Sequence, residues 1–331
     1  MKLPTFFTIC LLAGLASTAP TSNDDRLVID NNYYPESLIV YRGDHDIVSI
    51  VLPLNALNFG EDSDDEEDES SDTTVFFVQA DTNDKGERID QGLYVLINGN
   101  ATKLLDHGRD AAAANDDTKT AYFAAKDGIY SYNAATKKAE KYGTVTDSLI
   151  GIAKVNGSDT LYVLTEDRVL YKVTEEGTKK EKIDSVVNAK QIVLDFDSNL
   201  FYSTTNNEVY ILLADGVKKV EGLPSNPAYL SVIKPPFIFE NGVPVIANDE
   251  TYTVYANGTS EVVDIVVQAK PTAAAIEGTL IHYLAYKKNI YEYNILEIVM
   301  SEAVNEVKQF LSKNSDEIQA IATRSRNDLR A

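Results

Sequence analysis

The segment YFAAKDGIYSYNAATKKAEKY, residues 122–142, has the pattern of a β-hairpin followed by a third strand. Aromatic and β-branched residues lie on both sides of the turn Lys126-Asp127-Gly128, and Asp-Gly is a preferred hairpin turn. Similar segments recur about every 40 residues, so this hairpin is one copy of a repeat. The other copies are VFFVQADTNDKGERIDQGLYVLI from Val75, LYVLTEDRVLYKV from Leu161, FYSTTNNEVYILL from Phe201, VPVIANDETYTVY from Val243 and IHYLAYKKNIYEY from Ile281.

The segments between the hairpins repeat as well. A short polar strand follows each hairpin, as in KKAEKY at 137–142, and a small or apolar strand comes next, as in SLIGIAKV at 148–155. Four strands in about 40 residues, repeated, are typical of a β-propeller blade. One such unit cannot bury its own faces, so the blades must stack around an axis. The sequence therefore predicts an all-β, six-bladed propeller over residues 27–296.

The N-terminal part of this region predicts how the ring closes. The sixth copy lacks an outermost strand, whereas two strands, SLIVYRG at 37–43 and DIVSIVLPL at 46–54, precede the first copy. We expect one of them to complete the last blade, because an unpaired sheet edge invites aggregation. A seven-bladed ring is the alternative, if both strands belong to an additional partial blade.

The two ends of the chain differ from the repeats. Residues 1–16, MKLPTFFTICLLAGLA, have the charge–apolar–small order of a secretory signal peptide, and they contain the only cysteine, Cys10. The sequence thus predicts a secreted protein whose mature chain has no disulfide. In residues 297–331, apolar side chains at Met300, Val304, Val307 and Leu311 have helical spacing and predict a C-terminal amphipathic helix.

The net charge of −21 makes nucleic acid and anionic membranes poor partners for this chain. Much of that charge lies in the run EDSDDEEDESSD, residues 61–72. Like charges at this density stay solvated, and the run lacks EF-hand spacing, so we expect a disordered insertion and not a metal site. We also expect a monomer.

Three N-x-S/T sequons, at Asn100, Asn156 and Asn257, predict glycosylation. Propeller topology puts these sequons and the acidic insertion at one end of the ring. We therefore expect a ligand in an axial pocket at the opposite end, where stacking on tyrosine and pairing with basic side chains would hold it. The candidate residues, chosen from loop geometry, are His107, Arg109, Asp127, Arg168, Asn207, Tyr229, Asp249 and Lys288.

Catalytic motifs are missing from the sequence. The chain has three histidines and contains no G-x-S-x-G, no H-E-x-x-H and no phosphate-binding glycine loop. The predicted inner strands are small or apolar, and their only acidic or amide residues near the axis are Asn115, Asp195 and Glu277. We expect a protein without a metal, a cofactor or enzymatic activity. A calcium-dependent hydrolase is one alternative.

The repeat segments DGIYSYNAATKKAEKY, LYVLTEDRVLYKV and NLFYSTTNNEVYIL resemble the ommochrome-binding proteins of lepidopteran haemolymph and the related haemolymph promoting protein. The resemblance covers residues 75–296 and lies in the general residue pattern of the repeat. It implies a secreted insect protein that carries small aromatic pigments or related tryptophan metabolites without a catalytic step. A secreted structural or protein-interaction propeller is the other alternative.

Overall fold

The computed structural model describes residues 26–53, 73–114, 120–235, 241–276 and 281–294. These ranges contain strands β1–β25 in six sheets, which are the blades of a six-bladed β-propeller. The predicted fold is thereby confirmed, and the seven-bladed alternative is wrong. Within the described ranges no helix has the length and apolarity to cross a bilayer. The predicted signal peptide at 1–16, acidic insertion at 61–72 and C-terminal helix at 297–331 lie outside them.

The strands of each blade run in order from the axis outward. Blade 1 contains β3 (Ile47–Val51), β4 (Thr74–Thr82), β5 (Arg88–Ile97) and β6 (Asn100–Leu105). Blade 2 contains β7 (Gly108–Ala113), β8 (Ala121–Ala125), β9 (Gly128–Asn133) and β10 (Lys138–Lys141). Blade 3 contains β11 (Leu149–Lys154), β12 (Leu161–Thr165), β13 (Leu170–Thr174) and β14 (Lys179–Lys182).

Blade 4 contains β15 (Ala189–Leu194), β16 (Leu200–Thr204), β17 (Val209–Leu213) and β18 (Gly216–Lys219). Blade 5 contains β19 (Leu230–Val232), β20 (Gly242–Ala247), β21 (Glu250–Tyr255), β22 (Ser260–Val267) and, outside β22, β1 (Leu27–Ile29). Blade 6 contains β23 (Ala273–Ile276), β24 (Ile281–Tyr286), β25 (Asn289–Asn294) and β2 (Ile39–Arg42). Two 3-10 turns, Asn31–Tyr33 and Glu36–Leu38, lie between β1 and β2.

The N-terminal segment closes the ring on two blades. Strand β2 pairs antiparallel with β25, with Tyr41 opposite Ile290, so an N-terminal strand completes the last blade as expected. Strand β1 pairs parallel with β22 and adds a fifth strand to blade 5. The sequence did not predict β1, because three residues are too few to show the two-residue period of a strand.

Tyrosine side chains fix this segment to blades 5 and 6. The Tyr34 ring stacks on Tyr286 with centroids 4.1 Å apart, and its hydroxyl donates to the Ala269 carbonyl at 3.0 Å. The Tyr293 hydroxyl donates to the Tyr33 carbonyl at 2.6 Å. We call this group of side chains, Tyr33, Tyr34, Tyr286 and Tyr293 around Ala269, the seam.

Aromatic rings also join other blades. Phe77 of blade 1 lies 4.7 Å from Tyr41 of blade 6, and Phe76 lies 4.8 Å from Tyr132 of blade 2, measured between ring centroids. Both phenylalanines are fully buried. Burying such a side chain contributes about 1.5–3 kcal/mol, so the aromatic residues of the repeat form much of the core between blades.

Candidate functional site

Arg109, one of the residues predicted to bind ligand, is buried between three blades. Its Nε donates to Asp90 of blade 1 at 2.8 Å, and its Nη1 donates to Ser148 Oγ of blade 3 at 3.0 Å. Burial raises the pKa of Asp90, but the guanidinium groups of Arg109 and Arg88 outweigh burial, and the net pKa lies below its ordinary value. Arg109 is only 8% exposed, so it serves first as a connection between blades.

Other predicted residues make the same kind of connection, from the hairpin turn of one blade to the start of the next. Arg168 Nη1 donates to the Ala189 carbonyl at 3.1 Å. Asn207 Nδ2 and Lys288 Nζ donate to backbone carbonyls of blades 5 and 1 in the same way. Asp249 accepts from Lys270 at 2.5 Å.

The remaining predicted residues are placed at the same end. Tyr229 lies beneath the ammonium group of Lys270, which is 5.3 Å from its ring centroid. Asp127 accepts from the Tyr130 hydroxyl of its own blade at 2.8 Å, and His107 is exposed. None of the eight predicted residues lines the cavity that the structure contains on the axis.

That axial cavity has a volume of about 100 Å³ and is lined by the inner strands of all six blades. Its described lining residues come from the C-terminal halves of these strands and the positions that follow, so it lies toward the end of the ring where the inner strands end. The predicted pocket was expected at the opposite end, where they begin. The apolar lining includes Leu52, Pro53, Ala112, Ala113, Ile152, Leu194, Pro235 and Ile276.

Lys234 crosses the axis at this cavity, from blade 5 to blade 2. Its Nζ lies 3.3 Å from Asp110 Oδ1 and donates to the Ala111 carbonyl at 2.6 Å. Asp110 also accepts from Ser49 Oγ of blade 1 and from the backbone N–H of Ile152 in blade 3. A single carboxylate therefore connects four blades around the axis.

Two further charged residues line the cavity. Lys154 Nζ donates to the carbonyls of Val155 and Ser158. Asp195 is 2% exposed, and both of its carboxylate oxygens accept hydrogen bonds from Asn199 at 2.8 Å. Burial raises the pKa of Asp195, and the hydrogen bonds from Asn199 only partly offset it.

Asp195 was one of three axial residues considered from the sequence; Asn115 and Glu277 lie outside the described residues. In the part of the chain that the structure describes, no three His, Cys, Asp or Glu side chains form a group that could hold a metal ion. The cavity offers ammonium groups and apolar surface, which suit a small organic ligand.

His282, on β24, is a buried titratable group away from the cavity lining. It is 3% exposed, and its Nε2 has no hydrogen-bond partner among the described residues. Burial lowers the pKa of His282 to about 4, from an ordinary value of 6.5. The folded protein therefore holds a neutral imidazole in a range where the unfolded chain binds a proton.

We expect this histidine to make stability depend on pH between 6.5 and 4. As the pH falls through this window, the unfolded state gains a proton and the folded state does not, so the free energy of unfolding decreases by about 3 kcal/mol in total. Urea unfolding at a series of pH values, in wild type and His282→Leu, isolates this contribution from that of the carboxylates. The exposed-site control, His107→Leu, should follow wild type; an unchanged slope in His282→Leu would contradict the prediction.

The three sequons differ in geometry. Asn257 is exposed, and its Oδ1 accepts a hydrogen bond from the Thr259 hydroxyl at 2.7 Å. Asn100 is exposed at the first position of β6. Asn156 instead donates from Nδ2 to the Phe196 carbonyl at 2.5 Å, and its Oδ1 is buried without a partner among the described residues. A glycan on Nδ2 of Asn156 would replace one of its two amide hydrogens where the side chain contacts the Phe196 carbonyl, and would crowd this contact between blades 3 and 4.

We therefore expect selective glycosylation in a eukaryotic secretory host. Peptide mass spectrometry of the folded, secreted protein should find glycan at Asn100 and Asn257 and an unmodified Asn156, because the Asn156 amide packs against blade 4 and leaves little room for a sugar. Thr259→Ala is the control and should remove the glycan at Asn257 alone. Occupancy of Asn156 equal to that of Asn257 would show that the Phe196 contact is dispensable.

Comparison with known proteins gives the fold and no family. No family model matches the chain, and no curated protein matches it either. A gluconolactonase from Xanthomonas campestris is similar in structure, with 8% identity and a TM-score of 0.50 over 77% of this chain and 87% of that one. A structural genomics target described as a candidate gluconolactonase has 11% identity and a TM-score of 0.50 over 81% and 96%. Enzymes thus occur among the structural neighbours, but at this identity the likeness establishes only the propeller fold.

Proposed function

We propose that this chain is a secreted, non-catalytic binding protein that carries a small aromatic acid or zwitterion of the tryptophan-metabolite class. The observation that carries the proposal is the axial cavity, to which every blade contributes and in which Lys154 and Lys234 accompany apolar walls. A preformed concavity with few charged groups among apolar side chains is the usual form of a small-molecule site. The resemblance of the repeat to ommochrome-binding proteins supports the same class of ligand.

The volume of the cavity limits the size of the ligands within that class. An engineered cavity of about 150 Å³ in another protein holds benzene, so a cavity of about 100 Å³ encloses less than one whole ring, and the rest of a ligand must extend outside it. One-ring metabolites such as kynurenine fit this limit better than the fused-ring pigments. A ligand of about 15 heavy atoms at about −0.4 kcal/mol per atom would bind with about −6 kcal/mol, a Kd of tens of micromolar.

A titration of the purified protein with kynurenine and with xanthommatin tests the proposal. The chain has no tryptophan, so tyrosine emission and calorimetry report binding without an indole background. We expect saturable binding of kynurenine that is lost in Ala113→Phe, which fills the cavity, and kept in Lys138→Met on the exposed strand β10. Absence of binding by both ligands would overturn the carrier proposal. Lactone or ester turnover by the same preparation, with or without Ca²⁺, would overturn its non-catalytic part.

A further inference from the structure

Lys234 lines the axial cavity. An ammonium group has three protons, and the structure gives two of them acceptors among the described residues, Asp110 Oδ1 and the Ala111 carbonyl. The side chain of Lys234 is 27% exposed and lines the cavity, whereas that of Asp110 is 16% exposed and does not line it. Of this ion pair, therefore, the ammonium group of Lys234 lines the cavity and the carboxylate of Asp110 does not.

The carboxylates beside the cavity are already engaged. Asp110 accepts from Ser49 Oγ at 2.8 Å and from the Ile152 N–H at 3.0 Å, in addition to Lys234. Asp195 gives both oxygens to Asn199. Each carboxylate has about four lone-pair sites, and these fixed donors already neutralise part of its charge. Asp195 is only 2% exposed, whereas the side chain of Lys234 is 27% exposed, so a ligand entering the cavity reaches an ammonium more readily than a carboxylate.

The apolar walls of the cavity determine which chemical group the ligand needs beyond the part that binds Lys234. Alanine, isoleucine, leucine and proline side chains surround the space in front of Lys234, and they offer dispersion contacts and no hydrogen bonds. We infer that the cavity selects compact organic carboxylates, with the acid group at Lys234 Nζ and the apolar body against Ala113 and its neighbours. This inference rests on the proposed binding function and names the side chain that determines its specificity.

The test compares benzoate with benzamide, which have the same shape and differ in charge. We expect wild-type protein to bind benzoate about 10-fold to 100-fold more tightly, as for a hydrogen bond to a charged partner. Lys234→Met should bind both probes with similar affinity, and Lys234→Arg should keep the preference for the acid. Lys190→Met is the matched control, since Lys190 lies exposed on the inner strand β15 outside the cavity lining; it should keep the full preference.

The outcomes separate this inference from the binding function. Equal binding of benzoate and benzamide to wild type, both lost in Ala113→Phe, would overturn the role of Lys234 and leave a cavity for neutral ligands. An unchanged preference in Lys234→Met would place the acid group elsewhere and also overturn the inference. If wild type binds neither probe, nor kynurenine, the binding function fails as well. Lys234→Gln, which can still donate to the Ala111 carbonyl, replaces Lys234→Met if circular dichroism shows that the methionine variant is unfolded.

Discussion

Replacing Tyr34 with alanine should lower the free energy of unfolding by about 3–5 kcal/mol, as for a large aromatic side chain deleted from a core. Tyr34 is only 7% exposed although it belongs to the irregular segment between β1 and β2. Its ring stacks on Tyr286, and its hydroxyl donates to the Ala269 carbonyl. The substitution therefore removes ring packing and the hydrogen bond that attaches this segment to the loop between blades 5 and 6.

Two control variants separate the seam from the general effect of losing a tyrosine. Tyr34→Phe keeps the ring and loses only the bond to Ala269, so we expect a loss of about 1 kcal/mol. Tyr255→Ala removes a ring at the end of β21 whose hydroxyl donates to the exposed Glu261, and it should cost less than Tyr34→Ala. Urea unfolding of the three variants gives the comparison; equal losses for Tyr34→Ala and Tyr255→Ala would show that the seam has no special role in closing the ring.

The architecture could be predicted because the residue pattern of one blade recurs along the sequence. Each hairpin brings its own turn and alternating residues, so the blades around Asp127 and Asn207 were recognised from local pattern alone. Ring closure by β2 followed from the count of strands, since the last blade lacked one. Strand β1 escaped prediction because it has only three residues and because blade 5 already has four strands, so the count left no place for a fifth.

The candidate site was harder to predict, for a physical reason. The sequence predicts that charged residues in hairpin turns are available to a ligand, but in the ring each turn meets the start of the next blade. Arg168 and Lys288 accordingly donate to backbone carbonyls of neighbouring blades. Lys234 and Asp110 are 124 residues apart, so no local pattern joins them. The available signal was a lysine at the end of an inner strand, in SVIK and again in GIAK, where the other residues are apolar.

Asp110→Ala should be as damaging as the loss of Tyr34, at about 4 kcal/mol. The substitution leaves the Ile152 N–H without an acceptor in the core, which costs about 1–3 kcal/mol, and leaves the Lys234 ammonium without a counter-charge, which costs a similar amount. Because Lys234 is about a quarter exposed, water compensates part of the second loss. Ser49 also loses its acceptor.

A double-mutant cycle separates the loss of stability caused by the uncompensated Lys234 charge from the loss caused by the missing hydrogen-bond acceptor. Lys234→Met in the Asp110→Ala background removes the uncompensated charge, so the double variant should recover about 1–2 kcal/mol over Asp110→Ala alone. Asp110→Asn retains an oxygen for the Ile152 N–H and should lose about half as much as Asp110→Ala. Urea unfolding of wild type, Asp110→Ala, Lys234→Met and the double variant completes the cycle, and Asp110→Asn is measured beside them. If Asp110→Ala falls within about 1 kcal/mol of wild type, the carboxylate does not hold the four blades together, and Asp110 is then not the counter-charge that holds the Lys234 ammonium at the cavity.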